Sequence, residues 1–210
     1  MADYLYLVAL GVFAVALVVV SVTIRKALKK NKETLRRSAL KEIKRGQKRA
    51  AASKTVKVIQ WGEQFVVDGG VIDQDHKTLF GLINEFNQNI PRFESFDQMV
   101  PVLTALKKYT QTHFQREEKL QRLAGYPFRQ DHKNEHDAMI EEFDDLVRKA
   151  KQADEDTVTD AAVELGSFLR RWLTGHVIEN DLPLKAYVKR MREHARGMGG
   201  LAQESINPPP

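Results

Sequence analysis

From residue 75 onward, apolar positions return at steps of three and four, the period of a helix with one buried face. His76, Leu79, Phe80, Ile83, Phe86 and Ile90 form one such stripe, which Pro91 closes. A second begins near Ser95 or Asp97, accepts Pro101 because proline is tolerated in a first turn, and aligns Leu103, Leu106, Thr110, His113, Glu117 and Leu120 before Gly125 stops it. The third follows "GYP" and aligns His132, His136, Met139, Ile140, Phe143 and Leu146. "DEDT" offers caps for a fourth, which aligns Val158, Ala162, Leu165, Leu169, Trp172 and His176 until Pro183 interrupts it. Long amphipathic helices with short connections pack antiparallel. The pattern therefore predicts an all-α fold, an up-down-up-down four-helix bundle over residues 59–197.

The amino terminus has a different pattern. Residues 4–24 run for 21 positions without a charge, about 30 Å of helix and enough to cross a bilayer core. A cleaved signal peptide would have a basic start and a shorter apolar run, whereas here "MAD" precedes the run and "RKALKK" follows it. Residues 1–24 are thus expected to form a transmembrane anchor. The cations on its far flank predict a single-pass protein of the inner (cytoplasmic) membrane, amino terminus out and bundle in the cytoplasm. Residues 25–58 form a basic juxtamembrane linker with fourteen Lys or Arg against Glu33 and Glu42, a net of +12. The chain carries +5 overall and residues 1–24 contribute −1, which leaves −6 for the remainder, so the basic character belongs to the linker. Leu28, Leu35, Leu40 and Ile43 give it a thin apolar stripe suited to a continuing helix. Its charge serves either a solvated spacer or adhesion to anionic lipid headgroups, at about 1 kcal/mol per cation. No fold or interleaved aromatics support nucleic-acid binding. Residues 198–210, ending in three prolines, are expected to be a disordered tail.

Cysteine is absent, which excludes disulfides, thiolate metal sites and thiol nucleophiles. Six His in 210 residues is no enrichment, so only their arrangement is informative. His76, His113, His132, His136 and His176 all fall on apolar stripes, as does Glu117. Burying them together from four helices is costly without a common partner. Imidazole and carboxylate are ligands for borderline transition metals, and Asp181, five residues after His176, completes the set. Seven side chains are too many for one ion, so two are implied.

The stretches "HFQREE", "HKNEH", "HVIEND" and "VIDQDHK", with Trp61 upstream, resemble the bacterial hemerythrin domain over residues 61 to about 190. The resemblance implies a four-helix bundle that binds O2 reversibly at two non-haem iron ions joined by an oxygen bridge. It implies that His76 and His113 ligate one iron, that His132, His136 and His176 ligate the other, and that Glu117 and Asp181 bridge them. One coordination position then stays open, on the two-His iron. The same comparison places Phe114, Trp172, Leu173 and Val177 around the gas, as an apolar wall that excludes water. Two positions depart from the family pattern: Asp75 stands where many relatives have Gln, with an expected effect on the bond that orients His76, and Gln121 replaces a large apolar residue. His194 matches no motif position and is expected to be exposed.

The function that follows is a membrane-anchored O2-binding protein for oxygen storage or delivery, not an enzyme. Its expected partners are O2, the lipid bilayer and a membrane oxidase or oxygenase as recipient. One alternative is an oxygen or redox sensor, which would need a separate output partner because no kinase, cyclase or methyl-accepting segment is present. The other is a di-iron enzyme with peroxidase-like activity. Against it, oxygen-activating carboxylate bundles use E-x-x-H motifs, and the residues three before each His are Asp73, Thr110, Arg129, Lys133, Leu173 and Met191.

Overall fold

The structure is a computed structural model that describes the backbone of residues 1–55 and 57–206, and the side chains of these outside 2–18, 55 and 197–206. Its α-helices are α1 (Ala2–Thr55), α2 (Val71–Asn89), α3 (Val100–Leu123), α4 (Arg129–Ala150), α5 (Val158–His176) and α6 (Leu184–Ile206). No strand occurs among the described residues. The chain divides into two compact units, Met1–Lys48 and Arg49–Pro210.

The first unit is helical throughout its length after Met1, so the basic stretch does continue as helix. From Val19 its apolar residues, among them Ile24, Leu28, Leu35, Leu40 and Ile43, are exposed. The expected single-pass inner-membrane localisation, with the amino terminus out and the bundle in the cytoplasm, is corrected here. Among the described residues no helix is long and apolar enough to cross a membrane. From Arg25 to Lys54 cations recur every few positions, so this part of α1 has no apolar stretch of spanning length. The first part of the predicted anchor, residues 4–18, lies outside the described side chains. No observation supports the lipid bilayer or a membrane oxidase or oxygenase as a partner.

In the second unit α2, α3, α4 and α5 form a ring, α2 packing on α3 and α5, and α4 packing on the same two. Each boundary has a local cause. Ahead of α2 the chain reverses at Gly69, whose φ of 61° suits a residue without Cβ. The Asp73 carboxylate accepts N–H groups from Val67 and Gly69, and the Asp68 carboxylate accepts those of Gly70 and Asp73. Asp68 thereby satisfies the Asp73 N–H, a donor that the first turn leaves free, while Asp73 fixes the turn that leads into the helix. Pro101 sits in the first turn of α3, and Gly125, at φ 63°, lies two residues past its last residue, Leu123. Asp154 accepts the N–H groups of Asp156 and Thr157 to launch α5. α6 runs past residue 198, where the tail was expected to begin.

The antiparallel order sorts the residues by height in the bundle. His76 lies early in α2, His113 and Glu117 late in α3, His132 and His136 early in α4, and His176 at the end of α5. One end of the bundle thus collects the polar groups. The other is filled by Ile83, Phe86, Leu103, Leu106, Phe143, Leu165 and Leu169, all buried. Each such side chain contributes about 1.5–3 kcal/mol on burial. Gly166 of α5 faces the end of α2, and a Cβ there would collide with the side chains of Asn87 and Ile90.

Two glycine substitutions are expected to have opposite effects in urea unfolding. Gly166→Ala should destabilise by about 1–3 kcal/mol through overpacking. Gly81→Ala, on the exposed side of α2 with open space around it, should stabilise by about 0.5–1 kcal/mol through helix propensity.

Candidate metal centre

The helix ends described above bring seven polar side chains into a space closed to solvent. His76, His113, Glu117 and Asp181 are fully buried, and His132, His136 and His176 are at most 5% exposed. Nε2 of His136 lies 3.0 Å from Nε2 of His132 and 3.1 Å from Nε2 of His176. Protons alone cannot satisfy three ring nitrogens that face one another. Two nitrogens each about 2.1 Å from a shared ion at a right angle would stand about 3.0 Å apart, so the spacing is that of ligands on one ion.

Asp181 joins this trio to the remaining histidines. Its Oδ1 is 3.0 Å from His176 Nε2 and 3.2 Å from His132 Nε2, while Oδ2 is 3.1 Å from His76 Nε2. Glu117 makes a similar link, with Oε1 at 3.5 Å from His132 Nε2 and Oε2 at 3.3 Å from His136 Nε2 and 3.8 Å from His113 Nε2. Two groups of close ligand atoms result, one from Glu117, His132, His136, His176 and Asp181, the other from His76, His113 and Asp181.

A cation fits this arrangement better than hydrogen bonding does. Both ring nitrogens of His76 and His113, and both carboxylate oxygens of Glu117 and Asp181, are buried without a well-directed hydrogen bond. Orphaned polar atoms of that kind cost about 1–3 kcal/mol each, more when charged. The Nε2 atoms of His76 and His113 and the carboxylate oxygens converge on a common interior, as metal ligands must.

A local distortion delivers Asp181. In a regular helix a residue five positions on is rotated about 140° away. Val177–Asp181 instead forms a π-helical turn, closed by the Leu182 N–H donating to the Val177 carbonyl, and it returns Asp181 to the face of His176. Pro183 lacks the N–H that an α-helical continuation would give to Glu179.

The surroundings set protonation in the metal-free protein. Burial opposes ionisation of Glu117, and so does nearby Asp181, yet His132, His136 and His113 hold its carboxyl at about 2. Burial likewise opposes ionisation of Asp181, but His176, His132 and His76 keep it well below the usual carboxylate range. The imidazolium of His132 is disfavoured by burial and favoured more strongly by Asp181 and Glu117, which raise it to about 10. Burial pushes His113 down.

The expected gas-pocket residues lie beside this cluster. The Phe114 ring stacks on His136 at 3.6 Å, Leu173 and Val177 are buried, and Trp172 is half-buried with its ring 6.4 Å from that of Phe114. Trp61 lies 6.4 Å from the His76 ring, and His194 is exposed on α6. Gln121 is fully buried one turn beyond Glu117, with neither amide atom partnered. Asp75 does not turn toward His76: its carboxylate faces α3, where Arg116 and Tyr109 donate to it. The outer partners escaped the sequence reading. Glu118 lies 3.3 Å from His136 Nδ1, and the Asn180 amide lies 3.1 Å from His176 Nδ1. Spacing held the signal, since Asn180 follows His176 by four and Arg116 follows His113 by three.

Residues 70–197 match the hemerythrin HHE cation binding domain. The chain belongs to the hemerythrin family. A bacteriohemerythrin of Stenotrophomonas maltophilia is 31% identical over 143 residues, covering 65% of this chain and 84% of that protein. One of Clostridium acetobutylicum is 28% identical over 124 residues, 58% of this chain and 94% of its own. A hemerythrin-like protein of Naegleria gruberi is 28% identical, with coverages of 60% and 89%. Among solved structures, a crystal structure of a leucine-to-phenylalanine mutant shares the fold, with TM-score 0.52 and 24% identity over 62% of this chain and 97% of that one. Hemerythrin membership implies non-haem iron, and the His, Glu and Asp cluster fits a metal site.

Metal and proton compete for the same atoms, so metal uptake should release protons. His132, raised to about 10, is protonated at pH 8 in the metal-free protein, whereas Glu117, at about 2, has no proton to give. Calorimetric titration with ferrous iron at pH 8, in buffers of differing ionisation enthalpy, should show net proton release, and the apparent affinity should fall as pH is lowered.

Proposed function

We propose that this hemerythrin binds O2 reversibly at two non-haem irons held by the bundle of residues 59–197. His76 and His113 would hold one ion, and His132, His136 and His176 the other, with Glu117 and Asp181 shared. The observation that carries the reading is the Asp181 carboxylate, whose two oxygens face different histidine sets, Oδ1 toward His132 and His176, Oδ2 toward His76. A pair of ferrous ions supplies the two electrons that reversible O2 uptake needs.

The remaining work falls to the chain. Five imidazoles against two carboxylates leave the site poorer in negative charge than the carboxylate-rich bundles that activate oxygen. Phe114, Leu173 and Val177, with Trp172 at the edge, form an apolar wall beside the cluster. Such a wall keeps out water and the protons that would make oxidation irreversible. The role that follows is oxygen storage or delivery rather than turnover of a substrate.

Purified protein loaded anaerobically with ferrous iron should retain two equivalents per chain. Cycling between O2 and argon should produce and abolish a visible charge-transfer band. His113→Ala should lose the band, and less than two equivalents in the wild-type protein would sink the reading. Phe114→Ala should leave iron content unchanged while the O2-responsive band decays several-fold faster, as followed by repeated absorption spectra.

A further inference from the structure

Asp75 directly precedes His76 on α2, yet every partner of its carboxylate lies on α3. Arg116 donates through Nε to Oδ2 at 2.6 Å and through Nη2 to Oδ1 at 2.8 Å, a bidentate fork that fixes a carboxylate in plane and in charge. The Tyr109 hydroxyl donates to Oδ1 at 3.0 Å. Oδ2 also stands 3.5 Å from Nδ1 of His113. Tyr109, His113 and Arg116 follow one another at steps of four and three, so they share one stripe of the helix and aim at a single target. Although burial opposes its ionisation, His113, Arg116 and Tyr109 hold the Asp75 carboxyl well below the usual range.

Seen from His113, this carboxylate is distinctive. The imidazole is fully buried, and among the described residues no other carboxylate lies within 4 Å of its Nδ1. Its Nε2 faces the interior of the centre, 3.8 Å from Glu117. The histidines of the other set have different outer partners. His176 has the neutral Asn180 amide, and His136 has Glu118, which is partly exposed and, among the described residues, held by no arginine fork. A full negative charge locked behind a metal-facing imidazole fixes its tautomer and strengthens its donation.

We propose that Asp75 is the positioning residue of His113: the carboxylate, clamped by Arg116 and facing Nδ1, keeps the ring proton on Nδ1, leaves the Nε2 lone pair to the centre, and makes the His76–His113 half the more electron-rich one. The inference rests on the two-metal reading above. Asp75→Asn keeps the shape and an acceptor while removing the charge. In the iron-loaded full chain it should weaken one of the two ferrous equivalents by about ten- to a hundredfold, leave the other unchanged, and raise the midpoint potential of the centre. Asp75→Glu should recover part of both effects, because charge rather than shape is lost in the amide. Arg116→Met, which frees the carboxylate without removing it, should move both readouts in the same direction by less. If Asp75→Asn does not fold, Arg116→Met carries the test alone. Two wild-type-like binding steps and an unchanged potential, with only the thermal midpoint lowered, would show a merely structural clamp and overturn the proposal. A wild-type chain that takes up fewer than two irons would instead overturn the two-metal reading on which it rests.

Discussion

Withdrawing seven ionisable side chains from water is the constraint to which the bundle answers. Uncompensated, such burial would cost more than a domain of this size has in reserve, since net stability is only about 5–15 kcal/mol. The protein meets the difficulty by concentrating it at one end. The opposite end of the bundle is packed with Phe86, Ile83, Leu106, Leu165 and Leu169, and Gly166 leaves room there for the side chains of Asn87 and Ile90. One half of the molecule supplies the cohesion that lets the other half hold mutually repelling groups at close range.

Position within the cluster matters as much as burial. A histidine that holds a metal keeps one orientation when its second nitrogen is engaged, and for His113, His136 and His176 the groups facing that nitrogen come from α2, α3 and the π-helical turn. Asp75 reaches across from α2 to α3, Glu118 from α3 to α4, and Asn180 back along its own turn to His176. The same contacts that aim the rings therefore also tie the helices to one another. Folding and site assembly draw on one set of interactions.

Much of this was readable in the sequence, and the parts that were not share a cause. Helical periodicity located α2 to α5 because apolar residues at steps of three and four admit no other element. His113 with Glu117, and His132 with His136, stood out because a spacing of four returns a side chain to the same face. The π-turn did not, because the extra residue between His176 and Asp181 has no compositional mark apart from the following Pro183. Asp75 was assigned to the wrong neighbour, since adjacency to His76 in sequence says nothing about the direction of a side chain nearly a third of a turn away. The amino-terminal apolar run illustrates the opposite failure, in which a strong compositional signal carried a localisation that the described residues do not sustain.

The π-turn between His176 and Asp181 has an evolutionary corollary. Ile178 and Glu179, both exposed, can change identity without altering how many residues the turn contains. Losing or gaining one of them would swing the Asp181 carboxylate about 100° around the helix axis and out of reach of His132 and His76. At these two positions drift by replacement is tolerable while drift by insertion or deletion is not, so descendants that keep the site should keep the length of the turn even where they no longer keep these letters.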